Sequence, residues 1–293
     1  MRLLVLGASG MLGNAMIRVL AEGGEHEVFG TVRSTDVIRF FPQKIAAHLL
    51  TGINVDKEDA LAGVFERTYP DVVINCVGLI KQLAGADDPL QAIPLNALLP
   101  HRLVRLCATA GVRLVHISTD CVFSGEKGGY KETDFADARD LYGMSKFLGE
   151  VHDPHSITLR TSIIGHALDS SDGLIDWFLA QQQRCRGYTR AIFSGLPTVV
   201  LACLIRDVII PDSSLHGLYH VAADPISKYE LLKQVAGIYG KTIEITPDDT
   251  LVIDRSLNAE RFQADTGYTA PGWPELVQTM YSDYLQLMKQ DHV

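Results

Sequence analysis

A tyrosine and a lysine stand four positions apart in "LYGMSKFLGE", Leu141 to Glu150. Residues at that spacing on a helix share a face, so Tyr142 and Lys146 can point into one cleft. A phenol, with a reference pKa of about 10, is a poor acid partner at neutral pH until nearby positive charge lowers it. Lys146 offers such a charge, and an oxidised nicotinamide ring would offer another. The same spacing also arises on ordinary solvent-facing helices, so the pair takes its meaning from what surrounds it. Just upstream, "HISTDCVFSG" is an apolar strand ending in the hydroxyls of Ser118 and Thr119. In a doubly wound sheet, strand ends of this kind open onto a cofactor crevice.

The elements that must position these groups begin at the N-terminus. "GASGMLG" sets Gly7, Gly10 and Gly13 three apart, with Ser9, Met11 and Leu12 between them, after an apolar strand and before an apolar-periodic helix. That context predicts a tight turn, close approach of the backbone to a pyrophosphate, and a helix N-terminus facing the anion. The second strand, "HEVFGTV", ends where an acidic residue would hold the ribose diol of NAD. Here the chain reads "TVRS", and the donors of Arg33 and Ser34 suit a 2'-phosphate, so NADPH is the expected cofactor. The competing reading has Arg33 on the surface and Asp36 turned back to the ribose.

Further apolar runs, "DVVINCVG" and "RLVHIST", alternate with helical patterns such as "HRLVRLCATAG". Continuous apolar strands separated by helices predict an α/β fold, a doubly wound parallel sheet of Rossmann type. The expected dinucleotide-binding domain spans residues 1–165, with 196–212 returning to it. Residues 166–195 and 213–293 form a smaller, mostly helical substrate-binding domain. With 293 residues, 47% of them hydrophobic, the chain can bury a large core. A formal charge of −9 and a pI near 5.5 argue against nucleic acid and anionic membrane surfaces as partners. The five cysteines are odd in number and lack metal-ligand spacing, so neither a disulfide framework nor a metal site is expected, and a reducing cytoplasm is.

Taken together, "GASGMLG", "NCVG", "STDCVFSG", "YGMSK" and "LRTS", in that order, resemble the extended short-chain dehydrogenase/reductases, and within them the dTDP-4-dehydrorhamnose reductase family. The resemblance covers the first 165 residues well, and "GLPT" and "GLYHV" continue it more loosely. It implies that Tyr142 is the proton donor, that Lys146 holds the nicotinamide ribose and lowers the tyrosine's pKa, and that Thr119 hydrogen-bonds the substrate carbonyl. Ser118 is the neighbouring choice if the strand register differs by one. Asp56, in "INVD", resembles the adenine contact; Cys76, Val77 and Gly78 would line the adenosine side through backbone atoms. Asn96 falls where the family has a helix asparagine supporting the active site, counted with the cofactor-binding residues.

The implied reaction is NADPH-dependent reduction of the 4-keto group of a nucleotide-linked 6-deoxyhexose, in deoxysugar and polysaccharide precursor biosynthesis. Two departures bear on the substrate. Cys121 stands where the reductases commonly have Tyr, and Ile163 where they have Trp, which removes a sugar-stacking surface. Cys121 also replaces the second carboxylate of the related 4,6-dehydratases, so the elimination chemistry lacks its base. Arg255, in "DRSLNAERF", is the first choice for the diphosphate and Lys81, beyond "NCVG", the next. The motifs are equally compatible with dTDP, UDP, GDP and CDP. A sugar-nucleotide epimerase and a non-catalytic NADP-binding regulatory subunit stand as alternatives, and a homodimer is compatible with each reading.

Overall fold

β1 (Arg2–Leu6) has its last four residues buried, as a strand covered on both faces must. It pairs in parallel with β2 (Glu27–Thr31) on one side and β4 (Val72–Asn75) on the other. β2 pairs with β3 (Leu49–Leu50) and β4 with β5 (Arg113–Thr119), both in parallel. With β6 (Ser156–Thr161) and β7 (Gly217–His220), the seven strands lie in the order β7-β6-β5-β4-β1-β2-β3. The chain thus builds outward from β1 in one direction, then returns and builds in the other. The switch falls between β1 and β4, where the ends of parallel strands leave a crevice. The computed structural model describes residues 1–81, 87–168 and 173–290.

Four helices flank the first strands: α1 (Met11–Ala21), α2 (Glu58–Thr68), α3 (Leu99–Ala110) and α4 (Leu141–Leu148). Leu4, Leu6, Val73 and Leu114 from the sheet pack with Leu61, Val64 and Phe65 of α2 and Leu99 and Leu103 of α3. The alternate residues Leu3 and Val5 are equally buried, so the opposite face is covered as well. Leu114→Ala would leave a cavity in this layer and cost about 2–5 kcal/mol. Asp140 caps α4, its carboxylate accepting from the Gly143 amide at 2.9 Å.

The chain divides into two compact units, one of Met1–Thr119, Arg139–Leu159 and Ala202–Leu218, the other of Asp120–Ala138, Arg160–Leu201 and the residues from Tyr219 on. These bounds depart from those expected from the sequence. Residues 120–138 belong to the second unit because Phe123 stacks on Tyr130 with ring centroids 4.1 Å apart, and both join a buried cluster with Val122 and Leu257. The returning segment starts at Ala202 and ends at Leu218, later than expected, and Arg113 of β5 donates to the Leu215 carbonyl at 2.8 Å.

Within the second unit are α5 (Lys228–Ile238), α6 (Trp273–Gln290) and a short helix, Leu174–Ala180. It also holds small sheets that helical periodicity did not announce, among them Arg184–Tyr188 paired in parallel with Glu244–Asp248. His166 ties helices of this unit together: Nδ1 lies 2.6 Å from the Asp176 carboxylate and Nε2 lies 2.9 Å from the Tyr239 hydroxyl.

Candidate active site

The glycine loop between β1 and α1 has a shape that side chains would forbid. Gly7 takes φ +80°, and a Cβ on Gly13 would strike the Gly7 carbonyl oxygen. The Gly7 amide donates to Thr31 Oγ1 at 3.2 Å, and the Gly10 amide to the Gly7 carbonyl at 3.0 Å, which closes the turn. α1 then starts at Met11 with no acidic residue in its first turn, followed by Leu12 and Gly13. Its opening amides have no intrahelical acceptor, the arrangement that receives an anion. Ser9 sits half-buried at the bend.

Two residues beyond the end of β2, Arg33 is exposed, and among the described residues it makes no hydrogen bond or ion pair. The Ser34 hydroxyl accepts from the Asp36 amide at 3.0 Å, holding the turn in which Arg33 stands. Asp56 follows β3; its Oδ1 is buried and has no hydrogen-bond partner among the described residues. A buried carboxylate oxygen without a donor fits an adenine amine, so the residues present suit an adenine dinucleotide. Beyond β4, the Val77 amide donates to Asn75 Oδ1 at 3.1 Å, and the Val77 side chain lies against Gly7. Burial pushes the Cys76 thiol up to about 12, so it is a neutral group here.

The reacting end is built from α4 and the end of β5. The Lys146 ammonium, 5% exposed, donates to the Ile117 carbonyl at 2.7 Å, two residues before Thr119. That bond sets the face of α4 carrying Tyr142 against the strand end. Burial pulls the lysine down to about 8, while the Glu150 carboxylate acts to raise it. The Ser118 hydroxyl is buried and donates to Glu150 Oε1 at 2.7 Å. Adjacent residues of a strand face opposite sides, so one register cannot offer both hydroxyls to the same cleft.

Asn96 lies in a π-helical turn, Ile93–Leu98, just ahead of α3. Its amide group accepts from the Leu79 amide at 2.8 Å and donates to the Leu79 carbonyl at 3.0 Å and to Ser145 Oγ at 3.2 Å. At 1% exposure it is spent on holding the Leu79 backbone and the flank of α4. Lys81 pairs with Asp140 at 2.8 Å, and its ammonium is 5.7 Å from the centre of the Tyr142 ring. The expected diphosphate contact is thus a half-exposed ion pair at the head of α4. In the second unit, Arg255 donates to the Phe123 carbonyl at 2.7 Å and approaches Cys121 Sγ at 3.8 Å. It is committed to the turn that carries the cysteine.

Glu150 and Asp140 are absent from the sequence reading. The spacing of four between Lys146 and Glu150 in "SKFLGE" is the signal that could have found the first. Asp before a helical run is the ordinary sign of the second.

A family model described as RmlD substrate binding domain matches residues 1–285. The dTDP-4-dehydrorhamnose reductase of Aggregatibacter actinomycetemcomitans is 27% identical over 244 residues, 78% of this chain and 76% of that protein. Methionine adenosyltransferase 2 subunit beta of Danio rerio is likewise 27% identical, over 263 residues covering 81% of this chain and 74% of its own. Among solved structures, a hypothetical dTDP-4-dehydrorhamnose reductase from Sulfolobus tokodaii superposes with a TM-score of 0.76 at 26% identity, covering 93% of this chain and 98% of that one. The matched region takes in the glycine loop, the end of β5 and α4 alike, and by that match the chain belongs to the RmlD substrate binding domain family.

Proposed function

We propose that the protein is an NADPH-dependent reductase of the 4-keto group of a nucleotide-linked 6-deoxyhexose, acting in deoxysugar and polysaccharide precursor biosynthesis. The observation that carries this reading is the bond from Lys146 to the Ile117 carbonyl, which anchors α4, the helix that bears Tyr142, to β5, the strand that ends in Thr119. Gly7, Gly10 and Gly13 would hold the pyrophosphate, Asp56 the adenine and Arg33 the 2'-phosphate. NADPH, when bound, supplies the hydride for the ketone carbon. Tyr142 gives its phenolic proton to the ketone oxygen as charge develops there, with Thr119 orienting that oxygen. Lys146 offsets the phenolate that remains.

The test is NADPH absorbance in the presence of a panel of dTDP-, UDP-, GDP- and CDP-linked 4-keto sugars. Oxidation that tracks loss of one 4-keto sugar supports the reading. Conversion of substrate with no net NADPH consumption would identify an epimerase. The likeness to an adenosyltransferase subunit favours one other reading, a regulatory subunit that binds NADPH. Binding of NADPH without turnover on the whole panel, together with a stoichiometric protein partner, would establish that instead.

The cytoplasm is the compartment consistent with five free cysteines, and among the described residues no helix is long and apolar enough to cross a membrane. Exposed Met144, Phe147 and Leu148 on α4, with Leu90 and Leu98 nearby in the chain ahead of α3, support association as a homodimer.

A further inference from the structure

Lys146 and Glu150, four residues apart, both anchor to the last residues of β5. The ammonium donates to the Ile117 carbonyl and the carboxylate accepts from the Ser118 hydroxyl, each at 2.7 Å. Lys146 is 5% exposed and Glu150 is 6% exposed, and each is bonded to one of two neighbouring residues of β5, so two charged side chains leave water at the same strand end. Charges are carried in a protein interior only where an opposite charge and hydrogen bonds compensate the lost hydration. We propose that Glu150, fixed in place by Ser118, is the buried counter-charge of Lys146 and a positioning residue for the Tyr142–Lys146 pair. The inference deepens the reductase reading and rests on it for its catalytic meaning.

The other titratable groups around Lys146 do not supply a negative charge. Cys76, beyond β4, is kept a neutral thiol by burial. His116, on β5, is held well below its ordinary value by burial, by Lys146 and by His101 of α3, so it is a neutral ring. Tyr142, one turn back on α4, is the group the lysine serves. Glu150 remains, and of the influences that favour a protonated Lys146 it is the largest. Its bond to Ser118 also fixes the residue next to Thr119. One carboxylate therefore sets both the charge of the lysine and the strand end that faces it.

A clamp that merely held α4 to β5 would need the hydrogen bond and not the charge. Glu150→Gln separates the two, because it keeps an acceptor oxygen and the shape of the side chain while removing the negative charge. The experiment follows the pH titration of the Lys146 side chain by carbon-13 NMR in the full-length protein, with biosynthetically labelled lysine and the signal assigned by its loss in Lys146→Arg. The expected result is a Lys146 midpoint lowered by about one pH unit in Glu150→Gln, the effect of losing one nearby opposite charge. Glu150→Asp should restore most of it, and Ser118→Ala should give a smaller shift in the same direction.

Where a 4-keto sugar nucleotide is turned over, the alkaline limb of the NADPH-oxidation profile should move toward acid in step with the NMR midpoint. A midpoint unchanged in folded Glu150→Gln overturns the proposal. If that variant does not fold, an unchanged midpoint in Ser118→Ala overturns it. A lowered midpoint with no turnover on any sugar nucleotide supports the counter-charge and counts against the reductase reading alone.

Discussion

At the nucleotide end of the crevice, Arg33 and Ser34 stand exposed just beyond β2, and the guanidinium makes no hydrogen bond or ion pair among the described residues. At the reacting end, Asn96, Ser118, Lys146 and Glu150 are all buried, and each is spent on hydrogen bonds to its neighbours. The first is an electrostatic site that acquires its partner only with the ligand. The second is assembled in advance, and the groups that hold it also hold the fold. Substitutions at the two ends should therefore fail differently: the nucleotide end in affinity and salt dependence, the reacting end in turnover, stability and pH response.

The largest effect should come from Tyr142→Phe, which removes the proposed proton donor. Turnover is expected to fall about 10²–10⁴-fold, the usual share of general acid catalysis, while NADPH binding stays near the wild-type value. Measured turnover within a few-fold of wild type would take the phenol out of the mechanism. At the other end, Arg33→Ala removes the proposed charge-assisted contact with the 2'-phosphate, expected to be worth about 1.5–3 kcal/mol, roughly tenfold to over a hundredfold in preference for NADPH over NADH. Thermal shifts with each nucleotide at matched concentrations read this directly. Because the site is exposed, added salt should erode NADPH binding more than NADH binding. Equal shifts for both nucleotides, untouched by the substitution, would return the role to Asp36.

Asn96→Ala is expected to cost about 1–3 kcal/mol in chemical denaturation, since it strands the Leu79 amide and carbonyl in a buried place. It should lower turnover as well, without altering nucleotide preference. A variant as stable as wild type would mean that water replaces the side chain. The smallest effect is in the pH dependence of stability. Lys146 has a folded value near 8 against 10.5 when unperturbed, so between those values the unfolded chain binds the proton that the folded chain has released. Stability contributed by this position therefore rises with pH across the window, by at most about 1.4 kcal/mol per pH unit, and is flat below about 8. Subtracting the Lys146→Met curve from wild type should reveal that slope. A difference that stays level from pH 7 to 10.5 would mean that the lysine titrates as if in water.

The glycine loop, the parallel sheet and the Tyr142–Lys146 pair were legible in the sequence because each is a matter of local spacing. Gly7, Gly10 and Gly13 fall within seven residues, and the pair is one turn of a helix. What was not legible depends on register between distant elements. Nothing in "HISTD" tells which of Ser118 and Thr119 faces the cleft until β5 is set against α4, and that setting is made by Lys146 and Glu150. The domain boundary was misjudged for the same reason. Residues 120–138 follow β5 without a break in composition, and only the packing of Phe123 and Tyr130 with Leu257 draws them into the second unit. The role of Asn96 depends on Leu79, 17 residues away across a helix start, and on a π-helical turn that no propensity announces.

That turn makes the length of the chain here a determinant of geometry. A π-helical turn closes its hydrogen bonds one residue later than an α-helical one, so Ile93–Leu98 carries one residue more than the same arc of regular helix would need. Removing a single residue between Asn96 and α3 would let the turn relax to α-helix while α3 stayed docked on the sheet. The same arc would then close with one residue fewer, so the helix on either side would keep its phase and only the residues inside the turn, Asn96 among them, would rotate about the axis. Asn96 would leave the Leu79 backbone, and another residue would face Ser145. Substitutions in this segment would be graded in their effects, but a one-residue deletion would dismantle the turn while leaving the helix around it in register. An otherwise intact helix would lose the side chain that holds the Leu79 backbone and Ser145 together.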